Sequence, residues 1–210
     1  MKNSRLVLFA SLSVLWLIFT YWYTNTEGPL TEAEKEHYLT LASQRGDTAV
    51  IERFKEFLDG DEGDSFVMFN VLDLATDPEL PEGAASGTTA SELIAHYMEF
   101  MFPALLRRAC HPIYSGVAFS PAMDLVGLEE PDIANWTQGA LMRYRSRRDL
   151  IEIALDPRFN DRHDYKIAAL TKTIAFPVET TFSYSDPRVL LALVLLSLAL
   201  LIDRVFANRG

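Results

Sequence analysis

Two side chains have the type and setting to do chemistry. Asn70 is the one polar residue in the run FVMFNVL at 66–72, and an amide in apolar surroundings must find hydrogen-bond partners. It is either a satisfied core amide or a group lining a cavity between a sheet and its covering helices. His163 follows Arg162 and precedes Asp164. A carboxylate beside an imidazole can orient it and tune its pKa, as a general base requires; a surface or capping histidine would have the same neighbours. Asn70 and His163 are therefore the candidate catalytic pair. The basic residues cluster once, at Arg143, Arg145, Arg147 and Arg148. On a strand, Arg143 and Arg145 share a face with Leu141. They either pair with the abundant acids or hold a ligand carboxylate bidentately. Tyr114 and Tyr144 are candidates to line the same ligand cavity, or to pack.

Other chemistries lack their residues. The single cysteine, Cys110, excludes an intrachain disulfide and a multi-cysteine metal site. Cys110 and His111 are adjacent and point to opposite sides of a strand, and His96 has no partner at metal-ligand spacing, so no metal is expected. The acidic stretch 59–64 (DGDEGD) fails as a calcium loop because its twelfth position is Asn70. There is no glycine-rich phosphate loop and no GxSxG, and no cofactor is expected. The net charge of −10 argues against nucleic acid, whose phosphates demand clustered Lys and Arg.

The elements that must position these residues read as follows. Thr31-x-x-Glu34 has capping-box form and opens a polar helix through about Ser43. Gly46 breaks it and Asp47 can cap the next, whose Val50, Ile51, Phe54, Phe57 and Leu58 form one apolar stripe ended by Gly60. Residues 66–72 form a strand apolar on both faces, which asks for cover on both. Thr89-x-x-Glu92 caps a helix carrying Leu93, Ile94, Tyr97, Met98 and Met101, with Pro103 expected to kink it. Strands are predicted at 113–119 and 139–145, joined by a loop containing Asp124, Glu129, Glu130 and Asp132. Ser146 and Asp149 start a helix that Asp156-Pro157 interrupts and that resumes near His163. The last strand is 173–178, with Pro177 at its end or on a sheet edge. The order is β-α-β-β-α-β.

Two apolar segments bracket this part. Residues 6–23 are uncharged and reach roughly 27 Å as a helix, close to a bilayer's hydrocarbon core. Bulky Tyr21, Trp22 and Tyr23 occupy the place where a signal peptide would carry a small-residue cleavage site. Residues 189–202 (VLLALVLLSLALLI) are leucine-rich all round, flanked by Arg188 and Arg204, and read as a short spanning helix or one packed on protein. Lys2 and Arg5 before the first segment, with Arg204 and Arg209 after the second, place both termini in the cytoplasm and the middle outside, periplasmic in a bacterium. Only Lys2, Arg5, Arg188, Arg204 and Arg209 of the 19 basic residues, and only Asp203 of the 29 acidic ones, lie outside 24–187, so that stretch carries about −14. Such a surface repels anionic headgroups. The expected division is an anchor at 1–26, a helical extension at 27–63, a domain at 64–180 and a second membrane helix at 188–207.

Four stretches, FVMFNVLDL at 66–74, HPIYSGVA at 111–118, RYRSRRDLIEIALDPRF at 143–159 and HDYKIAALTKTIAFPVE at 163–179, together resemble the domain of unknown function 1330 family of the dimeric α+β-barrel superfamily. Asn70 and His163 both fall within them. The resemblance implies an α+β fold, a ferredoxin-like βαββαβ half-barrel that dimerises sheet on sheet. Superfamily relatives include cofactor-free monooxygenases, isomerases, haem enzymes and modules without known activity. The two membrane segments and the helical extension depart from the family's soluble form. Three functions follow: a membrane-anchored module binding a small ligand or partner; a cofactor-independent oxygenase or isomerase of a small hydrophobic compound; or an accessory subunit with a membrane-protein partner. Bilayer lipid and a second copy of the chain are the expected contacts.

Overall fold

The computed structural model describes residues 2–44, 48–127, 131–183 and 186–207. The break at Gly46 and Asp47, Glu129 and Glu130 of the acidic loop, and Arg209 lie outside them. The chain divides into two units, residues 27–179 and the two flanking segments together.

In the middle unit, β1 (Phe66–Leu74) is central because it is apolar on both faces. It pairs antiparallel with β3 (Gln138–Tyr144) on one side and β4 (Leu170–Glu179) on the other, and β2 (His111–Val117) adds to β3. The order β2-β3-β1-β4 makes one open antiparallel sheet. Pro177 sits on the edge strand β4, where its missing N–H removes no interior ladder bond.

Helices α4 (Ala90–Arg107), α5 (Arg147–Ala154) and α6 (Pro157–Ala168) cover one sheet face. There Phe66 of β1 stacks on Tyr144 of β3 at 5.3 Å, under Tyr97, Met101 and Leu105 of α4 and Ile153 of α5. Pro103 lies within α4 without ending it. The extension, α2 (Glu32–Ser43) and α3 (Thr48–Asp59), buries Tyr38 and Leu58 with Leu30 and Ile151 of α5. Both expected capping boxes form: Thr31 accepts from the Glu34 N–H and Thr89 from the Glu92 N–H, each glutamate bonding back.

Two elements differ from expectation. The helix holding His163 starts at Pro157, because the Asp156 side chain accepts from the Arg158 N–H and proline suits the first helical turn. Strand β2 starts at His111 and ends before Phe119, with an irregularity between Pro112 and Tyr114.

The second unit is a pair of helices, α1 (Lys2–Tyr23) and α7 (Pro187–Ala207). They run antiparallel: Arg5 pairs with Asp203 near one end, and the Trp16 indole N–H donates to the Arg188 carbonyl (2.9 Å) toward the other. Leu195 and Ala199 of α7 are buried in their seam. Elsewhere the pair exposes Leu6, Val7, Val14, Leu17 and Ile18 with Leu193, Val194, Leu200 and Leu201. Residues 4–23 are long and apolar enough to cross a membrane, and almost none of that stretch is buried.

Candidate functional site

The four arginines are positioned by the turn from β3 into α5. Ser146 caps α5, accepting from the Asp149 N–H (3.1 Å) and donating to the Asp149 carboxylate (2.7 Å). Arg145 grips the same carboxylate with two bonds, Nε at 2.9 Å and Nη2 at 2.8 Å. Asp149 is only 5 % exposed, so this fork is well shielded from water. Arg143 projects to the other sheet face, where it is buried and donates to the Ala109 carbonyl (2.8 Å). Ala109 has a left-handed backbone (φ 54°) just past α4, and this bond helps hold it there.

Arg147 donates to the Phe57 carbonyl, lies 4.9 Å from the Phe57 ring centre and 3.7 Å from Asp61. Arg148 grips Glu34 at 2.8 and 3.1 Å and donates to the Gly28 and Pro29 carbonyls. The Arg148 guanidinium, with the Thr31 N–H, holds the Glu34 carboxyl down at about 2. Arg147 and Arg148 thus clamp the N-terminal extension onto α5.

Asn70 faces the helix-covered side, half-buried, between Ala140 and Ala175 on the flanking strands. Its amide donates to the Met68 carbonyl (3.1 Å) and the Ala140 carbonyl (3.4 Å). Tyr144 is buried on that face, and burial raises its pKa. Tyr114 is exposed on the opposite face, beside Leu141. Tyr114 and Tyr144 therefore do not share a cavity. Alternation along β3 already sends Tyr144 away from Arg143, and the irregularity in β2 turns Tyr114 to the Leu141 side.

His163 sits on α6, half-buried, stacked on Phe159 (4.9 Å between rings) and edge-on to Tyr97 of α4 (6.4 Å). Its Nδ1 is buried and has no hydrogen-bond partner among the described residues. Burial first, then the Lys166 charge, lower its pKa against a smaller opposing pull from Asp164. Lys166, one turn further on, is desolvated by burial, which lowers its pKa as well. The sequence reading missed Lys166, although its i, i+3 spacing from His163 puts both on one helix face.

Also unanticipated is a cleft of about 350 Å³ between the 83–88 loop, α4 and α6, lined by His96, Glu99 and Tyr165 among others. The His96 ring lies 4.4 Å from Tyr165 and its Nδ1 3.1 Å from Glu99. None of the six candidate residues lines it. Cys110 is buried and its thiol is pushed up to about 12, so it is no nucleophile. Among the described residues no three His, Cys, Asp or Glu side chains are grouped to hold a metal.

The uncovered sheet face carries Phe69 and Val71 of β1, Leu141 of β3, and Ile174 and Phe176 of β4. Phe69 and Phe176 stack at 5.5 Å, yet Phe176 is still 44 % exposed. Beyond β2, Phe119, Met123 and Val126 stand almost wholly in solvent.

No family model matches the chain. No curated protein matches it either. Solved structures do. A protein of unknown function from Rhodopseudomonas palustris matches over 63 % of this chain and 94 % of its own, at 20 % identity and a TM-score of 0.52. Its methylated form matches over 64 % and 93 %, at 20 % identity and 0.51. A dimeric ferredoxin-like protein of unknown function from Jannaschia sp. CCS1 matches over 55 % and 99 %, at 14 % identity and 0.36. The chain is similar to uncharacterised α+β proteins, and the likeness is one of fold.

Proposed function

We propose that this protein is a membrane-anchored member of the domain of unknown function 1330 family. In this reading it is a homodimeric binding or structural module rather than a cofactor-independent oxygenase or isomerase. The supporting observation for the anchor is the α1/α7 pair. A helix of a soluble core buries its apolar side chains, whereas these two expose leucine, valine and isoleucine all round and bury only their mutual seam. The contacts between Arg5 and Asp203 and between Trp16 and Arg188 support a retained anchor over a removed signal. The basic residues outside each span favour cytoplasmic termini and an external acidic domain.

The dimer is supported by the aromatic and aliphatic face of the open sheet, which water would otherwise wet. The module reading is supported by how five of the six candidates are used. The arginines are spent on Asp149 and Ala109, the Asn70 amide on backbone carbonyls, and the tyrosines lie on opposite faces. The exposed Phe119, Met123 and Val126 are a fitting contact for a further membrane-protein partner.

Membranes from cells making the full chain, washed at alkaline pH, test the anchor. The chain is expected in the pellet, and its release to the supernatant would overturn the reading. Light scattering of the detergent-solubilised protein tests the dimer. Phe176→Glu should weaken self-association by about 1000-fold or more, since a buried aromatic anchor is worth about 2 kcal/mol or more in each of the two copies. A wild-type monomer at micromolar concentration would remove the sheet interface.

A further inference from the structure

The cleft between the 83–88 loop, α4 and α6 has the volume of a small-molecule site, about 350 Å³. Leu93 of α4 gives it an apolar surface, and the His96 and Tyr165 rings, 4.4 Å apart, give it an aromatic wall. The loop is braced by its own backbone, the Ala84 N–H donating to the Pro81 carbonyl and the Thr88 N–H to the Ala85 carbonyl.

The hydrogen-bonding groups of the lining are one-sided. Its side-chain donors are already used: the Thr88 hydroxyl donates to the Ala85 carbonyl (2.6 Å) and the Tyr165 hydroxyl to the Glu82 carbonyl (3.4 Å). His96 adds no free donor, because the Arg162 guanidinium lies against both ring nitrogens and Glu99 stands 3.1 Å from Nδ1. The acceptors are not used up. Glu92 takes the Thr89 N–H and hydroxyl through Oε2, at 2.8 and 2.7 Å. Glu99 likewise meets His96 and Arg162 (3.6 Å) through Oε2. The Oε1 atom of each has no partner among the described residues. Each carboxylate is therefore fixed by one oxygen and offers the other, and their seven-residue spacing sets both on one face of α4. No Lys or Arg is among the described lining residues.

We propose that this cleft binds a small organic ammonium with a short apolar body, of the arylalkylamine class. The ammonium supplies the donors that the lining lacks and bonds Oε1 of Glu99, the carboxylate beside the aromatic wall. The apolar body packs on the Tyr165 ring and Leu93, and Glu92 adds to the attractive field. The net charge of −10 draws a cation in and turns an anion away. This inference gives the binding-module reading a ligand class and uses neither the anchor nor the dimer, whose tests are separate.

Calorimetric titration of the full chain in detergent, with detergent alone as the blank, tests it with three probes of one shape: benzylammonium, benzyl alcohol and benzoate. Benzylammonium is expected to saturate one site per chain about tenfold or more tighter than benzyl alcohol, the gain of one charge-assisted hydrogen bond. Benzoate should not saturate. Glu99→Gln should bring benzylammonium down to the affinity of benzyl alcohol, whereas Glu36→Gln, which removes an exposed carboxylate on α2, should leave it unchanged. Ala95→Phe fills the cleft from an exposed position on α4 and should abolish binding while unfolding at the wild-type urea concentration. Wild-type chain that binds benzylammonium no tighter than benzyl alcohol, or does not saturate with it, would overturn the proposal, and this series decides even if a variant misfolds. Tight binding that a folded Ala95→Phe chain retains would overturn the cleft as its place.

Discussion

The two helices between β3 and β4 treat charge in opposite ways. At the start of α5, Arg145 with Asp149 and Arg148 with Glu34 form two-bond forks, and Arg147 reaches Asp61 and the Phe57 carbonyl. On the inner face of α6, Lys166 and the His163 Nδ1 have no such partner among the described residues. A sequence reading is drawn to the first, because four arginines in six residues look like an anion site. In the structure Arg145 and Arg148 are forked onto carboxylates, and Arg143 and Arg147 donate to backbone carbonyls. Chemistry is better sought where burial has stripped water from a polar group and nothing has replaced it.

The largest expected effect breaks the paired side. Asp149→Ala leaves Arg145 without its acceptor and removes a partner of the Ser146 cap. Breaking a buried ion pair costs about 3–5 kcal/mol, reduced here to about 2–4 because Arg145 is a quarter exposed. Urea unfolding of the detergent-solubilised full chain should show that loss, and Asp149→Asn, which keeps an acceptor, should recover part of it. A loss under about 1 kcal/mol would mean that the fork is ornamental.

Next in size is the Glu34 clamp, read through pH. Its carboxyl is held down at about 2 in the folded chain, against an ordinary glutamate value of 4.5. The folded value is the lower one, so the stabilisation is present above 4.5 and is lost as pH falls toward 2. Glu34 is a third exposed, so solvent screening reduces the contribution to about 1–2 kcal/mol. Glu34→Gln should flatten the stability profile across that window relative to wild type. An unchanged slope would show that Arg148 holds the extension through the Gly28 and Pro29 carbonyls alone.

How much of this was legible in the residues depends on range. The capping boxes at Thr31 and Thr89, the two-sided apolarity of 66–72 and the edge position of Pro177 are local, and each has the predicted form. The partners of Arg148 lie 114 to 120 residues away, and no local pattern encodes them. The side on which Tyr114 falls hangs on an irregularity next to Pro112, and one extra residue flips every side chain beyond it. The start of α6 at Pro157 was readable: Asp before Pro is a helix-opening pair as well as an interruption. His163 and Lys166 share a face by spacing alone, but their desolvation needs Tyr97 of α4, which only the fold brings.

The comparison is sharpened by a substitution on α6 with the opposite sign from Asp149→Ala. Lys166→Met keeps a long flexible stem and deletes an ammonium that has no counter-charge among the described residues. It is expected to stabilise the chain by about 1 kcal/mol at neutral pH, because an uncompensated polar burial is relieved. Measured by the same urea unfolding, a destabilisation of similar size would mean that the Tyr97 ring satisfies the ammonium and that Lys166 belongs with the paired lysines.

The smallest effect concerns His163. The groups facing its imidazole are the Phe159 and Tyr97 rings, the Lys166 ammonium and the Asp164 carboxylate. Burial and then Lys166 lower its pKa beneath the ordinary 6.5, so the unfolded chain takes up a proton before the folded one does. Stability is therefore full above 6.5 and declines as pH falls from there toward the folded value. The ring is only half-buried, so solvent screening keeps the decline small. His163→Gln should remove it, and Lys166→Met should narrow the window by deleting the second cause while leaving the first. If the two variants together show the same window as wild type, the imidazole is hydrated and α6 carries no stripped polar pair at all.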